Sequence, residues 1–190
     1  MLAKTSRWVA AALLSLASVA ANADIIEFRF TGTITYAYAD TLAAVGDPIT
    51  GTFSYDTRSK PRIRDKNSYA NYSPLAPASI SIAFGSHTVT TERLIVDVWN
   101  DFGGNVEDMV DVTSFPPTVD GELLPNGSMG FRLASAASNT RVFRTIHLPE
   151  SYDVGAFDGM NYGYLQRDGT QTGTLLQFTV DSIDVVVSTP

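Results

Sequence analysis

Cysteine is absent from the 190 residues, which excludes disulfides, thiolate nucleophiles and cysteine-ligated zinc or iron–sulfur sites. Histidine is scarce: with only 2 residues, His87 and His147, one chain cannot build a three-histidine zinc site. The G-x-S-x-G motif of many hydrolases is also missing, since the nearest string, Gly127-Ser128-Met129-Gly130, has the wrong spacing. We therefore expect both histidines to be ordinary strand or turn residues.

Positive charge is in short supply. The chain has 13 basic and 20 acidic residues, for a formal net charge of -7. A nucleic-acid-binding surface needs a basic face, and docking on anionic lipid needs basic clusters. Glycine-rich phosphate loops and dinucleotide fingerprints are absent as well. The sequence therefore predicts that neither a nucleic acid nor an anionic membrane surface is a partner.

The one long apolar run lies at the N-terminus. The basic residues Lys4 and Arg7 precede the apolar stretch from Trp8 to Val19. Small residues follow it in Ala21-Asn22-Ala23. This is the layout of a secretory signal peptide. A membrane anchor is the alternative, but the run is shorter than the about 20 residues that cross a bilayer.

The signal peptide sets the predicted domain organisation. We expect residues 1–23 to be removed by cleavage between Ala23 and Asp24, and residues 24–190 to form a single domain without a transmembrane helix. The predicted location is extracellular or at the cell surface, with the periplasm as the alternative.

Hydrophobic residues after the signal peptide alternate with a period of two, and helix signals are nearly absent. In β-branched and aromatic segments such as Ile26 to Tyr38, apolar and polar side chains take turns, which is typical of half-buried strands. We predict an all-β fold of eight to ten strands, an antiparallel two-sheet β-sandwich or its jelly-roll form. Residues 56–77 are predicted to be a long loop, residues 141–148 a strand, and Asp181-Ser182 a β-bulge.

Three segments resemble a known family. Phe30 to Ile34 (FTGTI) and Val45 to Asp56 (VGDPITGTFSYD) are similar to the N-terminal blocks of PEP-CTERM-type secreted bacterial proteins, and LIVDVWND resembles a later block. The resemblance implies a Gram-negative envelope or exopolysaccharide setting. Such proteins usually end in a Pro-Glu-Pro motif, an apolar helix and a basic cluster. That sorting tail is absent from this sequence, so either it belongs to a longer chain or this member is released without sorting.

Five acidic residues lie close together around Asn100 and Asn105. They are Asp97, Asp101, Glu107, Asp108 and Asp111. Because calcium takes about six to eight oxygen ligands, often from Asp and Asn in loops, they are candidate calcium ligands. The alternative is a solvated acidic turn between strands. Two carboxylates from the same group could also serve a glycosidase.

Aromatic residues at or near predicted loops are candidate platforms for sugar rings. Trp99, Phe102 and Tyr152 are the leading candidates, alongside Tyr69, Tyr72, Tyr162 and Tyr164. Trp99 stands out because it lies off the apolar face formed by Leu94, Val96 and Val98. The alternative is that these rings fill the core.

A basic segment gives the acidic chain one positive tip. It contains Arg58, Lys60, Arg62, Arg64 and Lys66. Acidic polysaccharide or an envelope component could contact it, although such runs are more often solvated loops.

The sequence leaves three functional hypotheses in order. The first is a secreted, non-enzymatic structural or adhesive protein of the cell surface or extracellular polysaccharide. The second is a carbohydrate-binding module, assisted by calcium or not. The third is a polysaccharide hydrolase or lyase. No cofactor is expected apart from calcium in the second hypothesis, and the expected partners are extracellular polysaccharide or envelope components.

Overall fold

The computed structural model describes residues 24–38, 43–66, 68–102, 107–136, 142–168 and 171–186. The predicted signal peptide, including Ala23, lies outside the described residues, and Asp24 is exposed. Over the described ranges the chain forms 14 strands and two single-turn 3-10 helices, Val154–Ala156 and Gln171–Gly173. The strands, β1 to β14 in chain order, are Ile25–Ala37, Pro48–Asp56, Ile63–Asp65, Tyr69–Leu75, Ala78–Phe84, His87–Thr91, Leu94–Phe102, Glu107–Ser114, Thr118–Val119, Glu122–Leu123, Ser128–Ala134, Met160–Gln166, Thr174–Phe178 and Ser182–Val186.

Hydrogen bonds join all of these strands into one antiparallel sheet. Its order is β10–β9–β6–β5–β2–β1–β13–β12–β11–β8–β7–β4–β3, with β14 paired to β1 off this path. β1 links the two sides, because residues 25–33 pair with β2 on one edge while its other edge pairs with β14 and then β13. The all-β, antiparallel expectation is confirmed. The sheet has more strands than the eight to ten expected, and its hydrogen bonding does not divide it into two sheets.

The sheet curls around an aromatic core. Phe53 of β2 and Phe131 of β11 have ring centroids 5.1 Å apart, although β1, β13 and β12 lie between them in the sheet order. Phe28 and Phe30 of β1 complete the cluster, and all four rings are fully buried. Burying each such ring contributes about 1.5–3 kcal/mol, so the curl is held mainly by apolar contact between distant strands.

The predicted loop over residues 56–77 is wrong from residue 63 onwards, where the chain forms β3 and β4. Ala70, Tyr72 and Leu75 are buried, and β4 pairs with β7. Proline usually marks turns or sheet edges, so the prolines of this segment favoured a loop over the strand β4. The basic residues that precede β4 also favoured a solvated loop.

The predicted strand over residues 141–148 is also wrong, since residues 142–148 form no strand and Arg141 lies outside the described residues. Ile146 and Leu148 are nevertheless buried, and the carbonyl of Ile146 accepts a hydrogen bond from the Tyr72 hydroxyl at 2.9 Å. The segment therefore covers one part of the core as irregular chain. No helix among the described residues is long and apolar enough to cross a membrane.

Candidate ligand-binding face

Strands β4, β7, β8, β11 and β12 lie side by side and carry a mixed polar and aromatic outer surface. Alternation sends Val96, Val98, Val110 and Val112 into the core, so their neighbours in sequence point outwards. We call this surface the Trp99 face. Its residues are Tyr69, Asn71, Asp97, Trp99, Asp111, Thr113, Arg132, Tyr162 and Tyr164.

Trp99 forms the aromatic centre of one row. It lies directly opposite Tyr69 on β4 and Met109 on β8. The rings of Trp99 and Tyr69 are 5.2 Å apart between centroids and are inclined by 34°. Both side chains are only partly buried, so the pair offers an apolar surface to a ligand.

Asp97 ties this aromatic pair to the next row. Its Oδ1 accepts hydrogen bonds of 2.7 Å from the Tyr69 hydroxyl and of 2.7 Å from the Asn71 amide. Desolvation, followed by the hydrogen bond to Asp97 and its charge, raises the pKa of Tyr69 to about 12. The Tyr69 hydroxyl therefore stays a donor at neutral pH, and the ring is held in one orientation.

Asp111 and Arg132 form the charged centre of the face. Asp97 and Asp111 are directly opposite on β7 and β8, and Arg132 follows opposite Asp111 on β11. Both Nε and Nη2 of Arg132 donate to Asp111 Oδ2. Burial alone would lower the pKa of Arg132, but the hydrogen bond and charge of Asp111 outweigh it and raise that pKa. The guanidinium is thus charged and fixed beside Tyr162, its neighbour on β12.

Tyr164 lies across a glycine in the third row. Gly130 separates Thr113 of β8 from Tyr164 of β12, and the two hydroxyl oxygens are 3.2 Å apart. A Cβ atom at Gly130 would collide with the backbone carbonyl of Val112, so only glycine fits between these strands. Burial raises the pKa of Tyr164, so this hydroxyl also stays protonated at neutral pH.

The five candidate calcium ligands do not converge. Asp97 and Asp111 lie on the Trp99 face, whereas Asp108 points inwards, is fully buried and accepts hydrogen bonds from the backbone N–H groups of Asp101 and Phe143 at 3.0 and 2.7 Å. Asp101 is exposed with φ +55°, and Glu107 is partly buried. Over the described ranges no group of three acidic or histidine side chains could hold a metal ion. The calcium site stays a prediction.

The three leading sugar-platform candidates have different environments. Trp99 lies on the face named after it. Phe102 ends β7, but its side chain lies outside the described residues. Tyr152 is only 7% exposed and packs edge-on against Phe28 at 5.1 Å, so its ring has no open face for a sugar. We therefore remove Tyr152 from the candidate ligand contacts.

Sequence reasoning missed three polar members of the face. The sequence predicts a loop at Asn71, and it singles out neither Thr113 nor Arg132. The available signal was strand parity, because Asn71, Thr113 and Arg132 each directly follow a buried apolar residue and so point to the opposite side of the sheet. Register between strands that are distant in sequence was also needed, and periodicity does not provide it.

Comparison with known proteins gives no family for this chain. No protein-family model, no curated protein and no solved structure matches it.

Proposed function

We propose that the protein is a secreted, non-enzymatic component of the cell surface or extracellular polysaccharide that binds glycan chains through the Trp99 face. The observation that carries this proposal is the inclined Trp99–Tyr69 pair beside the fixed polar groups of Asp97 and Asn71. An aromatic surface can cover the apolar side of a sugar ring, while nearby carboxylate and amide groups bond its hydroxyls. This combination favours the carbohydrate-binding hypothesis over a purely structural role.

The carboxylates of the face support binding better than hydrolysis. A glycosidase needs one carboxyl group as acid and another as base or nucleophile at the scissile bond. Here Asp97 already accepts two hydrogen bonds from side chains, and Asp111 is held by Arg132 and by the Thr113 hydroxyl at 2.9 Å. Both groups are engaged with protein partners, so hydrolase or lyase activity remains the weaker proposal.

The cellular setting of the proposal comes from the sequence. The N-terminal signal pattern and the resemblance of residues 30–34 and 45–56 to PEP-CTERM-type proteins support export to the envelope or the exopolysaccharide. We also propose that the curled sheet folds into two facing layers, as in a sandwich. The contact between Phe53 and Phe131 supports this arrangement, in which the Trp99 face would form one outer surface.

Affinity gel electrophoresis against a panel of neutral and acidic polysaccharides tests the proposal. We expect at least one to retard the protein, and we expect Trp99→Ala to weaken that binding about tenfold or more, as for an aromatic hot spot. Phe115→Ala is the matched control, because Phe115 is a 49% exposed aromatic residue outside the face. Circular dichroism and melting curves should show both variants folded.

Three results would contradict the proposal. One is that no polysaccharide binds the wild type. Another is that Trp99→Ala binds as the wild type does. The third concerns catalysis: release of reducing ends by the wild type, abolished in Asp97→Asn or Asp111→Asn, would make the protein an enzyme. Repeating the binding with added calcium tests the calcium-assisted form of the hypothesis.

A further inference from the structure

The two ends of the sheet path are open edges. β3 pairs with β4 on one side and β10 pairs with β9 on one side, and within the described ranges no strand pairs with their outer edges. An edge strand presents unpaired backbone N–H and C=O groups on which another strand can add.

The two edges carry opposite charge. Arg62, Arg64 and Lys66 lie in or next to β3, are all exposed, and form no ion pair in the described part of the chain. Asp65, the last residue of β3, is exposed as well, so basic residues outnumber acidic ones at this edge. Glu122 of β10 is exposed and forms no ion pair in the described ranges. Asp120 beside it is also exposed, and its Oδ2 contacts Nδ1 of His87 at 2.7 Å. In a chain with a net charge of -7, this basic edge is an exception that calls for a negatively charged partner.

Each edge also exposes one large apolar side chain. Ile63 in β3 is 53% exposed, and Leu123 in β10 is 54% exposed. Both side chains belong to strands of only two or three residues, and such short strands supply few neighbours to cover them. Pairing the two edges would cover both side chains and satisfy backbone groups at the same time.

The charges also determine which edges can meet. Like charges placed opposite each other destabilise a strand pair, which blocks β3 against β3 and β10 against β10. Opposite charges favour β3 against β10. We propose that β3 of one molecule pairs with β10 of a second copy of this chain, so that the sheet continues from one molecule into the next. The inference does not depend on the proposed glycan binding.

Sedimentation velocity of the full chain over a range of concentrations tests this inference. We expect reversible self-association that weakens when salt is raised to ~0.5 M, because exposed charges are then screened. Arg64→Glu and Glu122→Arg should each weaken association about tenfold, since each turns an attraction into a repulsion. Mixing the two variants should restore it, because the carboxylate introduced into β3 of one variant then meets the guanidinium introduced into β10 of the other. That recovery also shows that both variants are folded.

Two control variants make the assignment specific. Arg93→Glu changes an exposed arginine outside both edges, and Asp184→Lys changes an exposed acid on β14, the remaining strand with one paired side. Both should associate as the wild type does. A wild type that stays monomeric at low salt overturns the proposal, as does a mixture that fails to recover. Loss of association in Asp184→Lys alone would assign the acidic edge to β14 and overturn the choice of β10. If the protein stays monomeric and β3 binds a polyanion instead, the proposal that a second copy is the partner is overturned.

Discussion

Gly32 shows how one missing side chain permits a close approach of two strands. It lies in the middle of β1, and the backbone carbonyl of Thr179 occupies the position that a Cβ atom would take. The Thr179 N–H in turn donates to the carbonyl of Thr33 at 2.9 Å, which fixes the spacing between the two chains. A glycine that interrupts the apolar face of a strand marks either a bulge or a close approach of another backbone, and here the structure shows the close approach.

Gly32→Ala is expected to destabilise the protein by about 1–3 kcal/mol, because the backbone of β1 or of residue 179 must move to admit a methyl group. Urea unfolding followed by fluorescence measures the change. Gly155→Ala is the matched control: its nearest neighbour would be Asp153 Oδ1 at 3.4 Å, an ordinary contact, so the change should stay within about 0.5 kcal/mol. Equal effects in the two variants would contradict the close-approach explanation.

At the scale of elements, β13 and β14 behave as one interrupted strand along β1. Phe178 pairs with Ile34, and after a break at residues 179–181 Ser182 pairs with Thr31. Val180 and Ile183 are both buried, so the inward-facing parity changes between them. The sequence predicted this change at Asp181-Ser182, within one or two residues of the break.

Asn161 bridges the break from the neighbouring strand. Its amide donates to the carbonyl of Val180 at 2.6 Å, and its Oδ1 accepts from the Val180 N–H at 3.0 Å. The side chain therefore imitates a strand partner at the point where the pairing of β12 with β13 ends. Val180 is only 1% exposed, so water cannot easily replace these bonds.

Asn161→Ala should cost about 1–3 kcal/mol, since it leaves two buried backbone groups without partners. Asn71→Ala is the comparison, because that amide bonds the Asp97 side chain on a partly exposed surface and its loss should cost less. Hydrogen exchange adds a local test, with protection expected to fall near Val180 in Asn161→Ala only. Unchanged exchange there would argue against the bridging role.

At the scale of the whole molecule, a buried pair of tyrosines joins the sheet to the irregular segment that covers it. The Tyr55 hydroxyl donates to the carbonyl of Pro149 at 2.7 Å and lies 2.8 Å from the Tyr152 hydroxyl, which is thus left to donate to Tyr55. Burial raises the pKa of Tyr55 well above its usual value and raises that of Tyr152 too. The cover is therefore fixed by protonated phenols.

These raised pKa values predict a loss of stability at high pH. A group whose pKa is higher in the folded state stabilises it fully below the unfolded value, about 10 for tyrosine, and loses that effect as pH rises through the folded value. We expect these tyrosines to leave the melting temperature unchanged up to about pH 10 and to lower it above that pH.

Tyr152→Phe leaves Pro149 as acceptor for Tyr55 and should make the fall in melting temperature shallower. Tyr36→Phe removes a 43% exposed phenol and is the control. A fall as steep in Tyr152→Phe as in the wild type would contradict the prediction.

Local pattern was enough for the class of fold but not for its arrangement. Apolar and polar residues alternate in the sequences of β1, β2, β5 and β11, and Gly85-Ser86 has the composition of the two-residue turn that joins β5 to β6. Local pattern failed for β9 and β10, since two residues cannot show a period. It also failed for residues 142–148, where buried Ile146 and Leu148 imitate a strand without pairing.

What the sequence determined by itself follows from composition and from interactions within a few residues: strand character, turns, the parity of Trp99 and the absence of cysteine chemistry. Tertiary structure alone decided which strands are neighbours, because pairing depends on contacts between residues far apart in the chain. That choice brings Asn71, Asp97, Asp111 and Arg132 into one row across four strands. It separates Asp108 from the other acids and sends Tyr152 into the core, since side chains next to each other in sequence face opposite sides of a sheet. It also left the basic β3 and the acidic β10 at the open edges. Both strands lie in the interior of the chain, so only the order of strand pairing places them at the ends of the sheet.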